Sequence, residues 1–316
     1  MNAPLQVGLT LPLVGDFDLT QAEMAEALGY DALWVSEHIA FHVPTFDAVT
    51  TMAALAARTR RLRIGSAVLL LPLRPPAAVA KAVATLDVIS GGRVLLGVGV
   101  GGEYPKEFEA CGVPVKERGR RTDEAIAVLR ALWTQETASF EGRYVRFRDV
   151  AMRPKPVQPG GPPIIVGGRS EAAMRRAARL GDGYMPYLFT PQQYAEALRK
   201  IDAFAREAGR SLAAFQPMLY QFVYVADTYE EAFQRANARL STNYNQPFDR
   251  LIDRYCVVGP PEACVARLQA YVAAGARHLI LVPTTFGAAE FAQQAQRLAH
   301  EVVPQLRAAS SGNSQP

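Results

Sequence analysis

Three short stretches of this chain place residue types at spacings that could do chemistry. "GVGVGG", residues 97–102, spaces Gly97, Gly99 and Gly102 as G-x-G-x-x-G, the pattern of a turn that cradles phosphate with bare backbone. "IIVGGRSEAAMRRAARLG", residues 164–181, reads as a strand, a glycine pair and a helix start. There free N–H groups converge near Gly167, Gly168, Arg169 and Ser170, the helix dipole favours an anion, and Arg169 adds a full charge. "VSEH", residues 35–38, ends an apolar run in His38, whose imidazole can donate a hydrogen bond or shuttle a proton near neutral pH. The last two have plainer alternatives: a tight strand-to-helix turn capped by Ser170, and a packing histidine at position 38.

These residues need elements to position them. Short apolar runs at 5–11, 32–36, 63–71, 93–98, 163–166, 183–187, 216–225 and 279–282 read as strands. Between and after them lie helical patterns near 18–28, 46–60, 76–89, 117–133, 170–180, 191–208, 228–240, 261–275 and 288–307. Repeated strand-then-helix units with apolar strands predict a parallel sheet covered on both faces, and about eight of them predict an α/β fold closed as a (β/α)8 TIM barrel. Residues 1–307 form one such domain, with 100–162 as an insertion after strand 4 over the C-terminal mouth, and 308–316 as a disordered tail. From the insertion and beyond, Tyr104, Phe108, Tyr144 and Tyr187 are expected in the substrate pocket.

This organisation decides the glycine motif. It follows the fourth strand, whereas a dinucleotide fingerprint opens the first βαβ unit. The acidic residues about 20 positions on, Asp123 and Glu124, sit inside a helical run rather than at a strand end. The dinucleotide reading fails, and the remaining reason for bare backbone is close approach of something flat or bulky at a barrel mouth.

Composition excludes other classes. The 316 residues carry 34 Lys and Arg against 30 Asp and Glu, and no basic run is interleaved with aromatics, so nucleic acid is not an expected partner. Cys111, Cys256 and Cys264 form no C-x-x-C pair, and only four histidines are present, so neither a disulfide framework nor a metal site is expected. No signal peptide or membrane span is read, which predicts a cytoplasmic protein.

Several stretches, in order along nearly the whole chain, resemble the luciferase-like monooxygenases, a family that includes users of the deazaflavin F420. They are "VSEH" (35–38), "IGSAVLLLPLRPP" (64–76), "ATLDVISGGRVLLGVGVG" (84–101), "ERGRRTDEAIAVLRALW" (117–133), "PPIIVGG" (162–168) and "VGPPEACVARLQAYVAAGARHLIL" (258–281). The resemblance implies a barrel holding reduced FMN or F420 at its mouth. It implies a non-prolyl cis peptide at Ala67–Val68 against the flavin ring, with Ser66, Gly99 and Gly101 around it and the phosphate on Gly167, Gly168, Arg169 and Ser170. Ordinary barrel packing at Ala67 and Val68 is the alternative. His38 matches the family's mouth histidine. Glu37 stands where F420 users commonly have Asp or Glu, and Glu103 stands where some F420 enzymes carry a catalytic acid, though a solvated loop carboxylate reads as well. Gly102-Glu103-Tyr104 departs from the tryptophan many relatives have after the glycines.

The implied function is oxygenation of a small organic substrate by reduced FMN and O2, the FMN supplied by a separate reductase. The alternatives are F420-dependent hydride transfer and a non-catalytic flavin-binding barrel. A homodimer is expected.

Overall fold

A computed structural model describes residues 4–12 and 18–312, and the side chains within them through residue 309. Eight parallel strands close on themselves: β1 (Gln6–Thr10), β2 (Ala32–Val35), β3 (Arg63–Ser66), β4 (Val94–Gly99), β5 (Ile164–Gly167), β6 (Gly183–Met185), β7 (Gln216–Val225) and β8 (His278–Pro283). Register is continuous round the ring: Gln6 lies opposite His278 across β1–β8, and Gln216 opposite Gly183 across β7–β6. Apolar strands with helices outside bury both faces of the sheet, as parallel pairing requires.

The helices begin where local chemistry starts them. Asp47 caps Ala48–Arg58 by accepting from Thr50 N at 2.8 Å. Thr190 and Gln193 form a reciprocal capping box ahead of Pro191–Glu207. The last helix, Val303–Gly312, runs on into the tail that was expected to be disordered, because Ala308 and Ala309 sustain helical propensity. Residues 313–316 lie outside the described residues.

One large side chain organises the barrel interior. Trp34 on β2 is fully buried among Leu95, Ile165, Met185, Met218 and Ile280. Its indole occupies the space that side chains on the flanking strands would take. A Cβ on Gly65 would stand 2.4 Å from the ring, and one on Gly8 would stand 2.8 Å from its nitrogen. Trp34 Nε1 donates to His278 Nε2 at 3.3 Å, tying β2 to β8 beneath the mouth.

The segment 100–162 divides differently from the sequence expectation. Helix Arg118–Thr134 packs between Pro76–Ser90 and Glu171–Leu180, as the fourth helix of the outer ring. Trp133 Nε1 donates to the Ala80 carbonyl at 3.0 Å, and Arg176 reaches the Gly119 carbonyl at 3.1 Å. A hairpin, Ala138–Glu141 with Arg146–Val150, lies along this helix. Glu124 holds its turn by accepting from the N–H groups of Arg143, Tyr144 and Val145 at 2.8, 2.8 and 2.6 Å. The proline-rich connection is anchored on buried Asp87, which accepts from Val157 N and Gln158 N at 2.9 and 3.0 Å. Only the stretch just after β4 reaches the mouth. A short helix at Pro105–Ala110 and the hairpin lengthen this connection, which is why the rhythm breaks in the sequence while the barrel does not.

Candidate active site

A cavity of about 660 Å³ opens at the C-terminal ends of the strands, within the range usual for small-molecule and cofactor sites. Its wall includes ten of the eleven residues expected to be catalytic or to contact the cofactor: His38, Ala67, Val68, Gly99, Gly101, Glu103, Gly167, Gly168, Arg169 and Ser170. Ser66 departs from expectation. It is fully buried behind the wall, its hydroxyl donating to the Gly97 carbonyl at 2.8 Å.

The glycines of "GVGVGG" serve the end of β3. The Ala67–Val68 peptide is cis, and Leu69–Leu70 then resumes parallel pairing with β4, so the expected strand 63–71 is split in two. A Cβ on Gly97 would fall 1.9 Å from the Ser66 carbonyl oxygen, and one on Gly99 would fall 2.4 Å from the Val68 side chain. On the other side, a Cβ on Gly167 would meet Val68 at 2.7 Å. Bare backbone on β4 and β5 therefore lets Val68 project between them into the cavity wall. No phosphate is needed to account for Gly97 and Gly99.

The strand-to-helix turn expected to hold an anion lies next to this wall. Ser170 caps helix Glu171–Leu180, accepting from Ala173 N at 3.2 Å, which leaves the N–H groups of Glu171 and Ala172 without an intrahelical acceptor. Gly168, at φ 124°, is in a conformation that favours glycine, and its carbonyl accepts from Tyr184 Oη at 2.7 Å. Exposed Arg169 lies 4.8 Å from the centre of the Tyr187 ring. Tyr187 in turn donates its hydroxyl to Glu103, so the cradle after β5 and the carboxylate after β4 are bridged by one aromatic residue after β6. Burial, with Glu103 alongside, pushes the Tyr187 hydroxyl well above its ordinary pKa and keeps it a donor.

His38 is held by a residue that sequence reasoning missed. Its Nδ1 lies 3.3 Å from Glu107 Oε2, which also accepts from Ile39 N at 3.2 Å. Glu107 is fully buried, and its other oxygen has no partner. Oε2 already accepts from Ile39 N, and the same oxygen accepting from His38 places the imidazole proton on Nδ1 and leaves Nε2 free to meet a ligand. Phe41 stacks on the imidazole with ring centres 3.9 Å apart.

Glu37 plays a different part: its buried carboxylate accepts from Ala48 N, Leu70 N and Arg74. Burial raises its pKa and Arg74 opposes the rise. It ties the end of β2 to the chain after the cis peptide. Of the aromatics expected in the pocket, only Tyr187 lines the cavity. Phe108 is buried against Leu70 and Leu73, Tyr144 lies under Arg121 on the hairpin, and Tyr104 packs edge-on to Phe41 and His42. Among the described residues no cluster of His, Cys, Asp and Glu could hold a metal ion, and all three cysteines are free.

The model of the luciferase-like monooxygenase family matches residues 16–278. The chain belongs to this family. An F420-dependent glucose-6-phosphate dehydrogenase of Amycolatopsis mediterranei is 30% identical over 93% of this chain and 96% of its own length. An FMNH2-dependent dimethylsulfone monooxygenase of Pseudomonas putida is 35% identical over 69% of this chain and 60% of its own length. Among solved structures, a monooxygenase from Streptomyces bottropensis superposes with TM-score 0.83 at 28% identity, covering 95% of this chain and 99% of that one. An F420-dependent secondary alcohol dehydrogenase shares the fold at TM-score 0.85, 23% identical over 96% of this chain and 99% of its own. This luciferase-like chain is thus an enzyme of the oxidoreductase class, in a family whose members use FMNH2 or F420.

Proposed function

We propose that this luciferase-like enzyme binds reduced FMN across the Val68 wall, with its phosphate on Gly167, Gly168, Arg169 and Ser170, and oxygenates a small organic substrate. One observation carries the reading: a single cavity of about 660 Å³ joins an apolar wall, suited to a flat ring, to a helix N-terminus suited to a phosphate. Reduced flavin, once bound, supplies the electrons and the reaction with O2. The chain's own part is to orient, to exclude water and to handle protons. Val68 and Gly99 present an uncharged surface to the ring, His38 offers Nε2 as a proton carrier, and Glu103 with Tyr187 forms a second donor–acceptor pair at the rim. The flavin would arrive from a separate reductase.

F420-dependent hydride transfer is the second reading, favoured by the dehydrogenase relative that aligns over 93% of this chain. The cradle serves either cofactor. Two assays separate them: O2 consumption with FMNH2 from an added reductase, and loss of oxidised F420 absorbance with candidate alcohols under anaerobic conditions. Substrate-stimulated O2 uptake supports oxygenation. Turnover only in the anaerobic F420 assay replaces it with hydride transfer, and cofactor binding without turnover in either leaves a flavin-binding barrel.

A further inference from the structure

The far side of the cavity holds a buried cation that neither the cradle nor the His38 pair uses. Arg239, on helix Tyr229–Tyr244, is 8% exposed and lines the cavity. Among the described residues its guanidinium has no hydrogen-bond or ion-pair partner; it lies over the face of Phe286, 5.3 Å from the ring centre. Burial holds its pKa below the usual arginine value, with Glu290 opposing the shift. Glu290 is already engaged, accepting from Tyr224 Oη at 2.7 Å and Phe286 N at 2.8 Å, with Arg235 at 3.9 Å.

Two polar side chains of the same cavity also have atoms without a hydrogen-bond partner among the described residues. Thr285, next to Phe286 in sequence and 1% exposed, lines the same cavity with a hydroxyl that has no partner. Asn243, one helical turn after Arg239 and so on the same face, lines it with an unpartnered buried side-chain oxygen. A buried cation without a partner is costly, and a planar guanidinium that shares its cavity with a free hydroxyl donor suits a carboxylate, phosphate or sulfonate. Thr285 follows β8, three strands round the ring from the cradle after β5. An anion here is therefore a second one, separate from the flavin phosphate.

We infer that Arg239 and Thr285 form a subsite for an anionic group on the organic substrate. This rests on the proposed placement of the cofactor phosphate at Gly167–Ser170. The same negative charge could instead belong to the acidic tail of F420, and the test separates the two sources.

Calorimetric titration of the full chain, cofactor-free and FMN-saturated, compares glucose 6-phosphate with glucose and hexanoate with hexan-1-ol. In the wild type at least one anion binds about tenfold or more tightly than its neutral partner, as expected for hydrogen bonds to a charged group. Arg239→Gln brings the pair within roughly threefold, Arg239→Lys restores part of the difference, and Thr285→Val lowers it while keeping the side-chain shape. Circular dichroism and melting establish that each variant is folded, and Thr285→Val carries the test if Arg239→Gln does not fold. Neither anion outbinding its partner, or an advantage that survives Arg239→Gln and Thr285→Val, overturns the subsite. If Arg239→Gln weakens F420 binding but not that of FMN or of the deazaflavin core lacking phosphate and tail, the anion is the cofactor's and the substrate assignment falls. If the wild type binds neither FMN nor F420 yet prefers the anions through Arg239, the subsite stands and the flavin reading fails.

Discussion

His38 shows how a single residue gains a role from a partner distant in sequence. Glu107, 69 positions away, fixes which imidazole nitrogen is presented, and Phe41 fixes the plane of the ring. His38→Ala should therefore lower turnover by about 10²–10⁴-fold, the range of general acid–base groups, while cofactor affinity changes little. Glu107→Gln can still accept through its amide oxygen, so it should shift the pH profile of turnover more than its maximum. Steady-state rates across pH, set beside cofactor titrations, check both. A His38→Ala enzyme that turns over normally but melts early would make the histidine a packing residue. His38 was legible because it ends an apolar run and matches a family position. Glu107 was not: it is one of three glutamates within seven residues, and nothing local marks it as the buried one. Arg239 was hidden in the same way, an ordinary basic residue in a polar helix until the fold turned it inward.

Strands and helices were read with small errors because their periodicity is local. All eight apolar runs became barrel strands, and the segment expected at 279–282 became His278–Pro283. What the pattern could not supply was interior packing. His278 reads as the polar start of an apolar run, yet it lies inside the barrel, 3% exposed, with Trp34 donating to Nε2. Burial, with Arg63 nearby, drops its pKa from 6.5 to about 3. Between those values the unfolded chain binds a proton that the native chain refuses. The stability contributed by neutral His278 is thus full above about pH 6.5 and is lost as pH falls toward 3. Urea unfolding at about pH 7 and about pH 5 should show wild type losing roughly 1–2 kcal/mol more than His278→Gln, which keeps an acceptor for Trp34. Equal losses in the two proteins would mean that His278 does not resist protonation.

At the scale of the whole molecule, the closed ring brings the strand ends to one cavity, so groups after β2, β3, β4, β5 and β8 line it together despite their separation in sequence. The family resemblance made that convergence legible in the sequence, since its motifs fall at strand ends in order. The choice between FMN and F420 was not legible, because the proposed sites, a turn suited to a phosphate and a wall suited to a flat ring, answer to features both cofactors share. Bulk stability can decide it. A ligand that binds the folded chain alone raises stability by RT ln(1 + [L]/Kd), about 2.7 kcal/mol at a hundredfold excess over Kd. For a chain of this size that shifts Tm by roughly 4 °C. Oxidised FMN and F420 titrated in parallel should each raise Tm along this curve, and the one reaching a given shift at lower concentration is the physiological class. Arg169→Ala should move both curves to higher concentration by about tenfold, the value of a charge-assisted contact to phosphate. It should leave the ligand-free Tm unchanged, because exposed Arg169 contributes little to the packed barrel. Curves that do not move in Arg169→Ala would place the cofactor's phosphate elsewhere on the rim, and with it the orientation of the ring toward His38 and Arg239.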